Sequence, residues 1–274
     1  MLRVGLIGFP VEHSLSPAFQ QAAFDAIGLD IRYELWPTTA EEMEQRVVSL
    51  RAPEFLGANV TVPHKERAFA LMESVSDIAR RAGAVNTIVK LNGQLHGENT
   101  DVAGFLAPLE QRGLRPSAMN VIVLGAGGAA RGVVVALQSA GCGQIVVANR
   151  TVERAASLAE EVGGSLDVCG LDDALIGRAE HADLLVNATS LGWEGDQLPC
   201  DAAVLRALAS DTLVYDLTYR ETPLLRAARR LGLPILDGLE MLVAQGAESF
   251  RCWTGHEPPV ELMLATARTA AQAR

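Results

Sequence analysis

Residues 120–150 read NVIVLGAGGAARGVVVALQSAGCGQIVVANR. Four apolar residues, 121–124, run into the glycine-rich turn Gly125-Ala126-Gly127-Gly128-Ala129-Ala130, after which apolar positions recur at helical spacing as far as Gly141. A second apolar run, 145–148, follows. The pattern predicts strand, tight turn, helix and parallel strand: a βαβ unit of about thirty residues with the GxGxxA spacing of a dinucleotide-binding fingerprint. Each small residue has a physical task there. Gly125 permits the sharp turn, Gly127 lets the backbone approach a pyrophosphate, and Ala130 lets helix and strand pack closely. The free N–H groups of the helix's first turn then face the phosphates.

The end of the second strand selects between cofactors. An NAD site places an acidic residue about twenty residues beyond the glycines, where it accepts hydrogen bonds from the ribose 2′-OH. Here the chain reads Asn149-Arg150-Thr151, with Arg154 one turn later and no carboxylate before Glu153. A guanidinium suits a 2′-phosphate, so the residues favour NADP over NAD. Taken alone, Arg154 also fits an ordinary solvated helix position.

The chain has 274 residues, enough for two domains with full cores. Its 49% hydrophobic and 20% charged content is that of a globular protein. A net charge of -10 argues against a nucleic-acid-binding surface, so cofactor phosphates must be met by local arginines. Met1 leads directly into strand-like residues and no apolar run approaches membrane-spanning length, so a cytoplasmic protein with no membrane partner is expected. Cys142, Cys169, Cys200 and Cys252 form no CxxC pair and the histidines do not cluster. Reduced thiols are therefore expected, and no metal site.

The 23 basic residues include only two lysines, Lys65 and Lys90. Arginine stays protonated at physiological pH, whereas lysine sheds its proton in suitable surroundings, so a retained lysine is a candidate proton carrier. Lys90 sits at a strand end beside the Asn92-Gly93 turn, where chance accounts for it. Lys65 is different. It follows GANVTVPH, at the start of a helix, where the positive end of the macrodipole disfavours an ammonium ion.

Around it the N-terminal third reads as a small α/β unit. Residues 2–8 form a strand, a polar loop holding Ser14 and Ser16 leads into a helix near Pro17, and 31–36 and 41–50 follow as strand and helix. This β-α-β-α order predicts a parallel-type sheet. The two serines are placed to bind a hydroxylated or carboxylated ligand, or to cap the helix. Residues 58–62 read as a strand whose alternation puts Asn59 and Thr61 on one face, where Lys65 can also reach. Residues 85–90 and 94–97 form a hairpin about Asn92-Gly93, and a helix starts near Asp101, either a capping carboxylate or a partner for Lys65.

At this point the chain resembles the shikimate dehydrogenases. The matching motifs, in the family's order, are HSLSP (13–17), NVTVPHK (59–65), GAVNT (83–87), NTD (99–101), GAGGAA (125–130), NRT (149–151), NATS (187–190), DLTY (216–219) and GLEMLVAQG (238–246). The resemblance implies reversible reduction of 3-dehydroshikimate to shikimate with NADPH as hydride donor. It assigns Ser14 and Ser16 to the substrate carboxylate, Asn59, Thr61, Asn86, Asp101 and Gln245 to the ring hydroxyls, with Tyr219 beside them, and Lys65 with Asp101 to catalysis. Gly125, Ala126, Gly127, Gly128 and Ala129 would cradle the pyrophosphate, and Asn149, Arg150, Thr151 and Arg154 the adenosine phosphate. Thr189, Ser190, Leu217, Gly238 and Met241 would hold the rest of the cofactor, although Ser190 also fits a polar turn.

Some positions depart from the family pattern. His64 stands where an aromatic or apolar residue is expected, Trp193 replaces a methionine, and the YRETPLL loop is two residues short. Glu98 would add negative charge beside Lys65. The remaining strands, 184–187, 213–216 and 234–236, join 121–124 and 145–148 in an open parallel sheet. Helices over 238–250 and 260–273 are implied to return to the first domain. The expected plan is thus α/β: a substrate-binding domain over 1–102, completed by about 239–274, and a Rossmann-like NADP domain over 103–238. A monomer or homodimer acting on a small molecule is expected. A quinate/shikimate dehydrogenase of broader specificity, or a catalytically weak NADP-binding regulator, are the alternatives.

Overall fold

The N-terminal apolar run forms β1 (Leu2–Gly8), which pairs in parallel with β2 (Ile31–Pro37) across α1 (Ser16–Ala26). After α2 (Met43–Ser49), β3 (Gly57–Val60) joins the other side of β1. Then come α3 (Lys65–Leu71), β4 (Ser74–Val75), α4 (Asp77–Ala82), and the hairpin of β5 (Thr87–Leu91) and β6 (Gln94–Glu98). Asn92 and Gly93 both have positive φ, 52° and 83°, the geometry of a type I′ turn. This computed structural model describes residues 1–193 and 195–273.

The first sheet runs β2-β1-β3-β5-β6-β4 and is mixed, because β3 pairs antiparallel with β5. The strands of the first elements, β1 with β2 and with β3, pair in parallel as their order predicts, and the hairpin adds the antiparallel part. A two-residue turn can only return the chain antiparallel, and the hairpin enters the sheet through β5. The third strand stops at Val60, not 62. Thr61 still donates its N–H to Ile7, but its carbonyl accepts from His64, so the chain turns there and the strand alternation does not extend to Thr61.

Arg3 on β1 grips Glu34 on β2 with two hydrogen bonds, 2.6 and 3.2 Å, and Trp36 donates to the same carboxylate at 2.9 Å. The hydrogen bond from Arg3 holds the Glu34 carboxyl below its ordinary range. A depressed carboxyl stabilises the fold above its unfolded pKa, and that contribution is lost as pH falls through the folded value. Glu34→Gln should therefore lower Tm near neutral pH, and the gap from the parent should close in acid; thermal melts across pH check it.

After α5 (Asp101–Gln111) and a 3₁₀ turn at Pro116–Ala118, the second sheet begins with β7 (Asn120–Leu124), α6 (Gly128–Ser139) and β8 (Gln144–Ala148). It continues through α7 (Val152–Val162), β9 (Asp167–Cys169), α8 (Asp173–Ala179), β10 (Leu184–Asn187), α9 (Ala202–Ala207), β11 (Leu213–Asp216), α10 (Pro223–Arg230) and β12 (Ile235–Leu236). The order β12-β11-β10-β7-β8-β9 is wholly parallel and, read from the other edge, is the doubly wound 3-2-1-4-5-6. Residues 121–124 are buried on both faces, which is why they read as an unbroken apolar run. The strand β9 was not expected: it is three residues long and only Cys169 in it is buried.

The chain ends in α11 (Leu239–Thr254) and α12 (Val260–Gln272). Two compact units result, Met1–Gly104 with Leu242–Arg274, and Phe105–Met241, so the division passes through α5 and α11. The C-terminal helices belong to the first unit. Phe250 stacks on Phe24 at 5.0 Å, the Gln20 amide donates to the Gly246 carbonyl at 2.8 Å, and Trp253 donates to the Ile88 carbonyl at 2.9 Å. The four cysteines are unpaired. Among the described residues no helix is long and apolar enough to cross a membrane, and no group of three His, Cys, Asp or Glu is placed to hold a metal ion.

Candidate active site

In the first unit the lysine and the carboxylate meet. Lys65 opens α3 and Asp101 opens α5, and Lys65 Nζ donates to Asp101 Oδ2 at 2.7 Å. The Asn86 amide donates to the other oxygen, Oδ1, at 2.9 Å, and the Asp101 backbone N–H donates to Asn99 Oδ1. The carboxylate is thus fixed from two sides. Both side chains remain partly open, Lys65 at 31% and Asp101 at 20% exposure, so a ligand can reach the ammonium while its counter-ion holds it in place. Glu98 Oε1 lies 3.0 Å from His96 Nε2.

His64 is buried and its Nε2 sits 2.7 Å from the Thr38 carbonyl. A carbonyl only accepts, so Nε2 carries the proton and the bond ties the start of α3, and with it Lys65, to the end of β2. Ser14 Oγ accepts from the Ser16 backbone N–H, closing the turn into α1, while Ser16 is buried beneath it. Thr61 sits half-buried on the turn before Lys65. Gln245, on α11, offers Oε1 to Asn86 at 3.3 Å and donates Nε2 to the Leu242 carbonyl.

Behind these residues lies a polar cluster that their spacing did not announce. Tyr33 Oη donates to Asn59 Oδ1 at 2.8 Å, and Asn59 Nδ2 reaches Ser249 Oγ at 2.9 Å and Thr87 Oγ1 at 3.2 Å. Thr87 and Ser249 are 2.8 Å apart, and Thr100 lies 3.2 Å from each. The Asn86 carbonyl oxygen accepts from the Thr100 N–H at 2.7 Å. Burial pushes the Tyr33 phenol well above its ordinary value, with a smaller opposing hydrogen bond from Ser16. Thr87 and Thr100 stand inside quoted motifs, so a polar residue in an apolar strand or helix start was the available signal. Tyr33 and Ser249 carried none.

The second unit holds a cavity of about 520 Å³ at the C-terminal ends of β8, β7, β10 and β11, across the point where the strand order reverses. Gly125, Ala126, Gly127, Gly128 and Ala129 line it, with Asn149, Arg154, Thr189, Ser190, Leu217 and Tyr219. Tyr219, expected beside the substrate, thus shares this cavity with the cofactor candidates. Arg150, Thr151, Gly238 and Met241 are not in the lining. Arg150 is exposed, and the Asn149 amide donates to the Thr151 carbonyl, shaping the turn before α7. Gly238 works from behind: a Cβ on it would lie 2.0 Å from the Leu217 carbonyl oxygen, and its N–H donates to Thr218.

The cradle fits a dinucleotide phosphate. Gly125 has φ +110°, and a Cβ there would press on Thr189 and Ala188. Gly127 and Gly128 face open space, so a side chain on either would fill the volume that the glycines leave for a ligand. No side chain caps α6 at Gly127, which leaves first-turn N–H groups for an anion.

Two buried residues tie together the loops that line the cavity. Asn187 Oδ1 accepts from the Thr189 N–H and hydroxyl, and its amide donates to Asp216 Oδ2 at 3.0 Å. Asp216 also accepts from the Thr218 N–H and the Thr222 hydroxyl, so the loops after β10 and β11 are fastened to each other. Trp193 joins them on the surface, edge to face with Tyr219 at 5.3 Å and beneath the Arg220 guanidinium at 4.4 Å.

Three family models match the chain. The model of the shikimate dehydrogenase substrate binding domain matches residues 6–88, that of shikimate / quinate 5-dehydrogenase matches 109–192, and that of the shikimate 5′-dehydrogenase C-terminal domain matches 238–268. A shikimate dehydrogenase (NADP(+)) of Moorella thermoacetica is 45% identical, over 97% of this chain and 92% of its own length. The crystal structure of shikimate 5-dehydrogenase from Thermus thermophilus in complex with NADP(H) and shikimate superposes with a TM-score of 0.88 at 42% identity, covering 98% of this chain and 100% of that one. A quinate dehydrogenase from Corynebacterium glutamicum, in complex with NAD, gives a TM-score of 0.88 at 32% identity, covering 98% and 99%.

Proposed function

The chain belongs to the shikimate dehydrogenase family, and from that premise we propose that it catalyses the reversible NADPH-dependent reduction of 3-dehydroshikimate to shikimate, a step of aromatic amino-acid biosynthesis. The observation that carries the proposal is the Lys65–Asp101 pair, a proton donor held at 2.7 Å by a carboxylate whose second oxygen is fixed by Asn86.

Bound NADPH supplies a hydride to the ring ketone. Reduction puts negative charge on the ketone oxygen, and the Lys65 ammonium stabilises that charge and donates the proton that makes the hydroxyl. Asp101 holds Lys65 aimed at the reacting oxygen, and in the oxidative direction it orients the amine that receives the proton back. Ser14 and Ser16 bind the ring carboxylate, and Thr61, Asp101 and Gln245 the hydroxyls, with Asn86 holding Asp101 in place. In the second unit the Gly125–Ala129 turn and the first turn of α6 take the pyrophosphate, and Arg154 takes the 2′-phosphate. Asn149, Thr189, Ser190 and Leu217 would flank the dinucleotide, and Tyr219 lines the same cavity. We place the enzyme in the cytoplasm, as a monomer or homodimer.

The likeness to a quinate dehydrogenase keeps a broader specificity as the second reading. The test is reduction of NADP and NAD by purified protein with shikimate and, separately, with quinate. Turnover confined to shikimate with NADP is expected. Comparable turnover of quinate or NAD supports the second reading, and no turnover of either acid overturns both.

A further inference from the structure

We infer that Tyr33, Asn59, Thr87 and Ser249 are positioning residues that hold Asn86, and through it Asp101, by one buried relay, and that Asn59 acts inside the fold and not as a ligand of the substrate. The inference rests on the proposed assignment of Lys65 and Asp101 to proton transfer.

The capacity of Asn59 decides its role. A side-chain amide has two N–H donors and one carbonyl oxygen. Asn59 Nδ2 has three acceptors within reach, the Asn86 carbonyl, Thr87 Oγ1 and Ser249 Oγ, and its oxygen takes the Tyr33 hydroxyl at 2.8 Å. Both protons and the oxygen are spent on the protein, and the residue is only 4% exposed. A substrate hydroxyl could engage it only by breaking a buried bond.

From Asn59 the connection runs to the catalytic end. Thr87 donates to Asn86 Oδ1 at 3.2 Å, and Asn86 donates to Asp101 Oδ1 at 2.9 Å. Ser249 completes it from α11, donating to the Gln245 carbonyl at 3.0 Å, which registers that helix against β3 and β5. Thr87 and Ser249 are fully buried, so no water substitutes for either hydroxyl. The relay fixes Asn86 and, through it, the Asp101 carboxylate, and so sets where Lys65 is aimed.

The test removes hydroxyls without changing shape. Thr87→Val and Tyr33→Phe each delete one relay atom, and Thr87→Ser restores the hydroxyl while losing the methyl. Misplacing a reacting group by a fraction of an ångström costs turnover more than binding, so Thr87→Val should lower kcat for shikimate oxidation about 10- to 100-fold with the KM for NADP unchanged. Tyr33→Phe should lower kcat less, because its hydroxyl is further along the relay from Asp101. Thr87→Ser should recover most of the loss, although it removes the methyl group that Thr87→Val keeps. Wild-type kcat in Thr87→Val and Tyr33→Phe, measured below their Tm, would overturn the relay, as would a loss in Thr87→Ser equal to that in Thr87→Val. No turnover in the unsubstituted chain would overturn the function on which the relay depends, and the relay with it.

Discussion

Lys65→Met should lower kcat for shikimate oxidation by about 10²- to 10⁴-fold, the range that a positioned general acid or base contributes. Methionine keeps the length and the apolar stem of lysine and removes only the charge and the proton. The buried partners of Asp101 are unchanged, because Asn86 and the Asn99 side chain hold it independently of Lys65. The fold should survive for the same reason, since the pair is partly exposed and such ion pairs contribute little to stability. NADPH affinity, read by quenching of protein fluorescence, should also stay at its parent value, because the cofactor cradle is built entirely in the second unit.

Lys65→Arg sharpens the argument. Arginine preserves the positive charge and can still bond Asp101, but it does not release a proton at physiological pH. If Lys65 only attracted a substrate anion, arginine would restore turnover. If it moves a proton, arginine should be nearly as poor as methionine. A Lys65→Met variant with kcat within a few-fold of the parent would remove Lys65 from catalysis.

Much of this arrangement was legible because its signals are local. The run at 121–124 and the glycines after it specify strand, turn and helix within thirty residues, and the turn at Asn92-Gly93 specifies a hairpin from two. The pairing of Lys65 with Asp101 was legible for another reason: with lysine almost absent from the chain, the one in a motif stood out. What could not be read depends on distant chain. Tyr33, Thr87, Thr100 and Ser249 converge only because β2, β5, the start of α5 and α11 pack together, and a lone serine in a C-terminal helix gives no sign of it. Asn187 and Asp216 stood inside quoted motifs, yet their link across two parallel strands exists only in the folded sheet. The edge strand β9 and the pairing of the hairpin with β3 escaped for a related reason. Their pairing is decided by neighbours, not by the segment's own period.

Two glycines at the cofactor cavity should respond oppositely to the loss of their freedom, and the contrast separates a ligand cradle from a packing element. Gly127 has an extended backbone that any residue adopts, and a Cβ on it meets nothing within 4 Å. Gly127→Val should therefore leave Tm nearly unchanged. Its side chain would occupy the space in front of the α6 N-terminus and keep the pyrophosphate from the backbone N–H groups. Charge-assisted hydrogen bonds are worth about 1.5–3 kcal/mol each, so losing two of them weakens NADP binding by about 10²- to 10⁴-fold. Gly238 is the opposite case, since its Cβ would sit 2.0 Å from the Leu217 carbonyl oxygen and 2.5 Å from its carbon, both backbone atoms. Gly238→Ala forces the 217–219 segment to move, at about 1–3 kcal/mol for an overpacked site, and should lower Tm by several degrees while also loosening the cofactor. Thermal melts and NADPH titrations on both variants decide the matter. A Gly127→Val protein that binds NADPH normally would place the dinucleotide elsewhere, and one that melts early with Gly238→Ala would make the glycine-rich turn a packing device with no ligand to cradle.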